Sequence, residues 1–249
     1  MEITPKTVGL GLLDEYKILL ESFKNNGYAF VFFKELFALQ NQVALRHDID
    51  FDMNAALVMA KLEQELNIKS SYFFLLSNHN FNLLVPENVH IIREIKKLGH
   101  VVSLQFDPSN YAQEKELEML EWEIKLFENI ADTEIEIISF HRPSFSAMNS
   151  EKWLPNIEHT YLKKYTENAY YHSDSKGLWR FGHPLETQAF LEQKSMQLLI
   201  HPIWWIVDGK TNEEKIWHTY EINAEKLKQN YADNNIIFQE LLAKKQPKN

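Results

Sequence analysis

The chain has 249 residues, 45% of them hydrophobic and 24% charged, a composition that excludes a disordered or fibrous protein and is ample for a substantial buried core. Lys and Arg number 26 against 35 Asp and Glu, a formal charge of −9; that is the wrong sign for a surface that neutralises phosphates, so no nucleic-acid partner is expected. Cysteine is absent, which removes a disulfide framework, a thiol nucleophile and thiolate-ligated metal, and leaves His, Asp and Glu as metal ligands.

The opening residues 1–6 lack the basic and then apolar pattern of a secretory leader. The most apolar windows, 28–33 and 198–207, fall far short of the roughly 20 residues that cross a bilayer. A cytoplasmic protein without a transmembrane segment is expected. Gly209-Lys210-Thr211 has Trp204 where a phosphate-cradling loop needs its first glycine, and reads as a turn.

Short apolar runs alternate with stretches of helical period, the pattern of βα units. Residues 43–45 lead as a strand into Arg46-His47-Asp48-Ile49-Asp50, after which Ala55, Met59, Leu62 and Leu66 recur on one helical face. Residues 71–76 read as a buried strand. Pro86 suits the first turn of a helix with Ile92, Ile95 and Leu98 inward and Gly99 at its end. Residues 101–106 are the next strand, Leu117, Leu120, Ile124 and Phe127 the stripe of the next helix, and residues 135–140 a strand ending in His141-Arg142-Pro143. From about 144 to 190 the helical period is lost around one strand at 169–172. The strand 196–200 runs into His201-Pro202-Ile203-Trp204-Trp205. Thr211 and Glu214 then form a capping box opening a helix over about 211–243, marked by Ile216, Tyr220, Leu227, Tyr231, Phe238 and Leu241. With no linker or repeat, a single domain over 1–249 is expected, its motif-bearing core at about 43–205.

Asp48, Asp50, His141, Arg142, Asp174 and His201 fall at or just beyond the C-terminal ends of these strands, the edge where catalytic groups gather in parallel barrels. Asp48 and Asp50, two apart on extended backbone, project to one side. Such a pair can divide the labour, one binding a cation and the other taking a proton from water. The plainer alternative has Asp50 capping the helix near Met53 and Asp48 pairing with Arg46. Arg142 as a structural ion pair and His201 as a hydrogen-bonded core histidine are the matching alternatives for those two.

Arg46-His47-Asp48-Ile49-Asp50, Gly99-His100, Phe140-His141-Arg142-Pro143 and Leu199-Ile200-His201-Pro202 occur in the order and spacing of the polysaccharide deacetylase family. Over about 43–205 the chain resembles the NodB-type carbohydrate esterases, most closely a branch associated with bacterial surface-polysaccharide gene clusters. The resemblance implies a distorted (β/α) barrel that removes N- or O-acetyl groups from sugars with a divalent metal, commonly zinc. It implies Asp48 as general base, Asp50 as metal ligand, Arg142 holding the base ionised, His201 as general acid and Asp174 as the carboxylate that orients and charges that histidine. Acyl transfer needs such a base, acid and oxyanion stabiliser, and a carboxylate beside an imidazole raises its pKa.

The family's two metal-binding histidines fall on Gln105 and Ser109, both poor ligands for zinc. Asp107, on the same strand face as Gln105, is the available oxygen substitute, and His100 reads as a structural hydrogen-bonder. Three readings follow. One is a metal-dependent deacetylase with an oxygen-rich site, and another a hydrolase of the same fold using Asp48 and His201 without metal. The third is a decayed barrel that binds glycan on Trp153, Trp179, Trp204 and Trp205. The expected activity is removal of an acyl group, foremost acetyl, from an amino sugar or surface-polysaccharide precursor. Gln105, His141, Trp179, Trp204 and Trp205 are expected to contact the carbohydrate or nucleotide-sugar substrate.

Overall fold

The structure, a computed structural model, describes residues 6–7, 13–38, 40–143, 154 and 156–245. Its strands are β1 (Lys6–Thr7), β2 (Ala29–Val31), β3 (Gln42–Ile49), β4 (Ser71–Leu75), β5 (Val101–Phe106), β6 (Ile137–Phe140), β7 (Glu158–His159), β8 (Tyr170–Ser173), β9 (Leu178–Trp179) and β10 (Met196–Ile200). Its α-helices are α1 (Leu13–Asn25), α2 (Met53–Glu65), α3 (Pro86–Lys97), α4 (Glu116–Ala131), α5 (Lys163–Thr166), α6 (Gln188–Leu191), α7 (Ile203–Ile206), α8 (Asn212–Asn234) and α9 (Ile236–Lys245).

The central strand is β3, buried continuously from Val43 to Ile49, as a strand covered on both faces must be. One edge pairs in parallel with β10, from Val43 opposite Met196 to His47 opposite Ile200. The other edge is shared by β2 and then β4. The full order is β7-β6-β5-β4-β3-β10-β8, every neighbour parallel, with β2 beside β3 and a separate antiparallel β1–β9 pair. Contacts across the sheet reveal its curvature. Arg46 on β3 hydrogen-bonds Ser139 on β6, although two strands intervene and a flat sheet would hold β3 and β6 about 14 Å apart. Gln197 on β10 likewise donates to the carbonyls of Thr160 (3.0 Å) and Tyr165 (2.9 Å), just beyond β7. The strands therefore curl into a half-barrel, open between β7 and β8, with a polar interior.

Helices cover the outside. Those following β3, β4 and β5 pack Met53, Ile92, Ile95, Leu120 and Phe127 onto Phe74 and Leu104, while α1 presses Leu20 and Phe23 toward Val43, Leu45 and Leu198. Behind β3, Glu63 of α2 is fully buried and accepts from Tyr16 (2.5 Å), Tyr72 (2.8 Å) and Ser70, with His47 Nε2 2.8 Å away. Burial pushes the Glu63 carboxyl up, but the charges and hydrogen bonds of His47, His100 and Ser70 hold it below the usual range. His100 bonds Ser70 (2.7 Å) and the Ala60 carbonyl (2.9 Å), the structural role expected for it.

Local signals place the termini. Asp52 caps α2, accepting from the backbone N–H of Asn54 (2.8 Å) and Ala55 (3.3 Å); the cap is not Asp50, which stays free for the barrel mouth. Pro86 occupies the first turn of α3, and Gly99 follows it at φ +94°. The turn at Gly209 (φ +150°) leads to Thr211, whose hydroxyl accepts from the Glu214 N–H at 3.2 Å. The expected continuous C-terminal helix is two helices. Asn235 is extended (φ −147°) and its side chain accepts from the Phe238 N–H (3.0 Å), capping α9 and ending α8. Strand β6 starts at Ile137, two residues after the expected position. Among the described residues no helix is long and apolar enough to cross a membrane.

Candidate active site

At the C-terminal edge of the half-barrel, β3 delivers Asp48 and Asp50, β5 delivers Gln105 and Asp107, β6 leads into His141 and Arg142, β8 into Asp174 and β10 into His201. Alternation along β3 turns Arg46, Asp48 and Asp50 to the interior and His47 to the Glu63 cluster behind. The curl converts this sheet edge into a pocket rim.

Asp48 is enclosed. Arg46, itself fully buried, clamps it with two hydrogen bonds, Nε to Oδ1 at 2.8 Å and Nη2 to Oδ2 at 2.6 Å. Ser139 Oγ lies 3.3 and 3.4 Å from the two oxygens and Gln105 Nε2 3.3 Å from one. The same guanidinium reaches Gln197 (3.2 Å) and sits over the Tyr161 ring. Arg142, expected to hold Asp48, does not reach it. It ion-pairs with Asp107 at the rim, its side chain 64% exposed and its backbone in the left-handed region at φ +48°. The reason is position: Arg46 is two residues from Asp48 on the same strand face, whereas Arg142 lies past the end of β6. Asp107 also caps a short turn, accepting from the N–H (3.0 Å) and hydroxyl (2.7 Å) of Ser109.

Asp50 is the more open carboxylate. Gln105 Nε2 donates to its Oδ1 at 3.1 Å, His141 Nδ1 stands 3.4 Å from the same oxygen, and His201 Nε2 is 3.8 Å from Oδ2. Burial works to raise its pKa, but the His141 hydrogen bond, the charges of His201 and His141 and the Gln105 amide together lower it. The His141 imidazole responds in the opposite sense: burial opposes its charge, and Asp50 and Asp107 overcome that and raise its pKa.

His201 and Asp174 form a dyad. Asp174 is fully buried and accepts from the His201 ring Nδ1 (2.6 Å), the His201 backbone N–H (3.0 and 3.1 Å) and the Trp205 indole N–H (2.8 Å). Burial disfavours a charged imidazole, yet the charge and hydrogen bond of Asp174, with Asp50 and Asp48 behind, raise the His201 pKa to about 9. With Nδ1 occupied, Nε2 carries the transferable proton toward Asp50.

The donor set does not fit zinc. Gln105 presents an N–H donor, not a lone pair, to both carboxylates, and the Ser109 hydroxyl is spent on Asp107. Among the described residues no three His, Asp or Glu side chains converge as a metal-holding group, where a zinc site normally needs at least three. Among the described residues the buried Oε1 of Gln105 meets no hydrogen-bond donor.

The tryptophans expected to stack on glycan are in the core. Trp179, Trp204 and Trp205 are 1%, 6% and 2% exposed, and a ring without an accessible face cannot stack on a sugar; Trp205 instead anchors Asp174. Trp153 lies outside the described residues. Sequence reasoning passed over Ser139, Gln197 and Tyr161 as partners of Arg46. Their signal was faint: one polar side chain each inside or after an apolar strand.

No protein-family model and no curated protein matches the chain. Among solved structures, the chitin deacetylase of the fungal pathogen Colletotrichum lindemuthianum is similar over 75% of this chain and 84% of its own, with a TM-score of 0.50 and 14% identity. A family 4 carbohydrate esterase from Bacillus anthracis covers 94% and 97% with a TM-score of 0.44 and 12% identity. A pseudoenzyme of that family, also from Bacillus anthracis, covers 76% and 64% with a TM-score of 0.46 and 11% identity. At such identities the likeness is one of architecture: parallel strands curled into a half-barrel with helices outside, the (β/α) barrel fold of the carbohydrate esterase family 4 deacetylases.

Proposed function

We propose that the chain is a hydrolase that removes an acyl group from the nitrogen of an amino sugar, with surface-polysaccharide precursors as the substrate class, and that its own side chains carry the proton transfers. The observation that carries this reading is the Asp174–His201 dyad, with Nε2 aimed at Asp50 across 3.8 Å at the barrel mouth. A histidine with a pKa of about 9 is protonated at neutral pH and serves as general acid. Asp48 has its oxygens taken by Arg46, so Asp50 is assigned the water. Its carboxylate accepts a proton as the water oxygen attacks the carbonyl carbon, and His141, whose pKa Asp50 and Asp107 raise, faces the developing oxyanion. Collapse breaks the C–N bond as His201 Nε2–H protonates the leaving nitrogen. Asp50 then returns the water proton to His201, which restores both groups and leaves a carboxylic acid and an amine, the acid passing its proton to the amine or to water as they separate.

Burial of Trp179, Trp204 and Trp205 takes away three of the four rings on which a binding-only barrel would stack glycan, and the paired acid and base favour hydrolysis. The test is acyl release from a panel of N-acylated amino sugars in the presence of a chelator. Release is expected to persist with chelator and to fall about 10²-fold or more in His201→Gln and in Asp50→Asn. Release that depends on added zinc, or that is undiminished in Asp50→Asn, overturns the mechanism.

A further inference from the structure

The strand end at Asp50 is tied to the loop after β4. The Asp50 carbonyl accepts from Asn78 Nδ2 at 2.9 Å and from Asn80 Nδ2 at 3.0 Å. Directly beyond, Phe51 and the 78–82 segment form one wall of a groove of about 780 Å³ whose other wall is α8. That helix contributes Ile216, Tyr220 and Leu227, spaced to share one face. Tyr220 and Leu227 are each 59% exposed, and Phe81 faces the groove from the loop side. Among the described residues of the lining Lys226 alone is formally charged, beside the polar His79, Asn82, Thr219 and Asn223. Folding does not account for this stripe, because the residues α8 buries are Lys215, Thr219 and Ala232.

We propose that this groove is the acyl-chain subsite of the candidate active site, and that the substrate is an amino sugar bearing a long hydrocarbon N-acyl chain; the assignment rests on the hydrolase reading above. Direction supports it. His201 protonates the leaving nitrogen, so the sugar lies toward His201, and the acyl chain leaves the carbonyl carbon the other way, past Asp50 to Phe51. An acetyl methyl would leave such a volume empty, whereas a chain fills it. Phe51, Phe81, Ile216, Tyr220 and Leu227 give a hydrocarbon its contacts, while the amides of Asn78 and Asn80 are taken up by the Asp50 carbonyl.

Binding and hydrolysis are measured for N-acetyl-, N-butyryl- and N-octanoylglucosamine, binding by calorimetry on His201→Gln so that it is read without turnover. A methylene half-buried in an open groove strengthens binding about twofold, so octanoyl, six methylenes longer than acetyl, is expected to bind about 60-fold tighter and to show a kcat/KM raised by a similar factor. Leu227→Asp and Tyr220→Ser are each expected to cut the octanoyl-to-acetyl ratio at least threefold. Turnover with no dependence on chain length overturns the groove assignment and leaves the hydrolase reading intact. Length-dependent binding without turnover of any substrate supports the groove and removes the hydrolase reading. Length-dependent binding unchanged in both groove variants overturns the location.

Discussion

Asp174→Asn isolates the charge that makes His201 an acid. The carboxylate accepts from the His201 ring, the His201 N–H and the Trp205 indole. An asparagine keeps one acceptor oxygen and turns an N–H₂ toward these donors, so at least one buried donor loses its partner, at a cost of about 1–3 kcal/mol. Asp174 is also the main influence raising the imidazole, against burial, to about 9. Without that charge, burial prevails and the value falls to the ordinary 6.5 or below. The change is about 2.5 pH units or roughly 3 kcal/mol. At pH 8 the protonated fraction then drops from about 90% to about 3%, so loss of the acid alone slows turnover about 30-fold. Stability moves with it. A folded pKa above the unfolded one means that the stabilisation is complete below about pH 6.5 and is lost as pH rises through about 9; the variant should lack that alkaline loss. Imidazole nitrogen shifts followed by NMR from pH 5 to 10, beside urea unfolding over the same range, measure both. A His201 that titrates at the same pH in variant and wild type would refute the reasoning.

Removing the Arg46 clamp leaves the Asp48 carboxylate buried and unpaired, so Arg46→Met is expected to cost about 3–5 kcal/mol in urea unfolding. Arg142→Met removes an exposed rim pair and should cost at most about 1 kcal/mol; equal losses would contradict the assignment of the clamp. Gln105→His puts an imidazole beside Asp50 and His141, a three-ligand set, so calorimetry with zinc should show binding well above that of wild type; equal affinity in the two would mean that Gln105 does not decide metal binding. Glu63→Gln removes the negative charge and one of the two acceptor oxygens shared by Tyr16, Tyr72, Ser70 and His47, and should lower stability at pH 7 by about 3–5 kcal/mol. Because the folded Glu63 pKa is depressed, its contribution is present above about pH 4.5 and fades as pH falls through the folded value, so thermal melts of wild type and variant should converge in acid.

The strands at 43–45, 71–75, 101–106 and 196–200 were legible because parallel strands covered on both faces read as mainly apolar runs, whereas the continuation of β3 through Arg46-His47-Asp48-Ile49 was not, since its polar side chains read as a loop. Helix starts with side-chain or proline signals, such as Pro86 and Thr211, were legible for the same local reason. The break at Asn235 was not, since the apolar stripe continues across it and only the asparagine's bond to Phe238 marks the new cap. At the site, strand-end position accounts for Asp48, Asp50, Asp174 and His201 lying at one edge, while the partner of Asp48 depended on reach. The pairing with Arg46 is implicit in the two-residue period of β3, but the competing Arg142 is ruled out only by the curl that sets it beside Asp107. The tryptophans misled because large aromatics in an irregular segment serve a rim or a core equally well, and tertiary packing decides which.

Charge balance at the mouth bears on how a barrel of this kind works with glutamine and serine where imidazoles would bind zinc. Among the described residues four carboxylates stand there, each beside an arginine or a histidine whose pKa its surroundings raise: Asp48 with Arg46, Asp50 with His141, Asp174 with His201, and Asp107 with Arg142. A divalent cation is useful where carboxylates and a developing oxyanion lack positive charge. Here that charge comes from the chain itself, within β3 at Arg46 and just beyond β6 and β10 at His141, Arg142 and His201. Metal binding would also require neutral imidazoles, whereas His141 and His201 are both held above their ordinary pKa. Deprotonating His201 at pH 7 against a pKa of about 9 costs roughly 3 kcal/mol before any coordinate bond forms. In the proposed mechanism the proton on His201 Nε2 is the one that would release the amine, and a metal could take that nitrogen as a ligand only by displacing it.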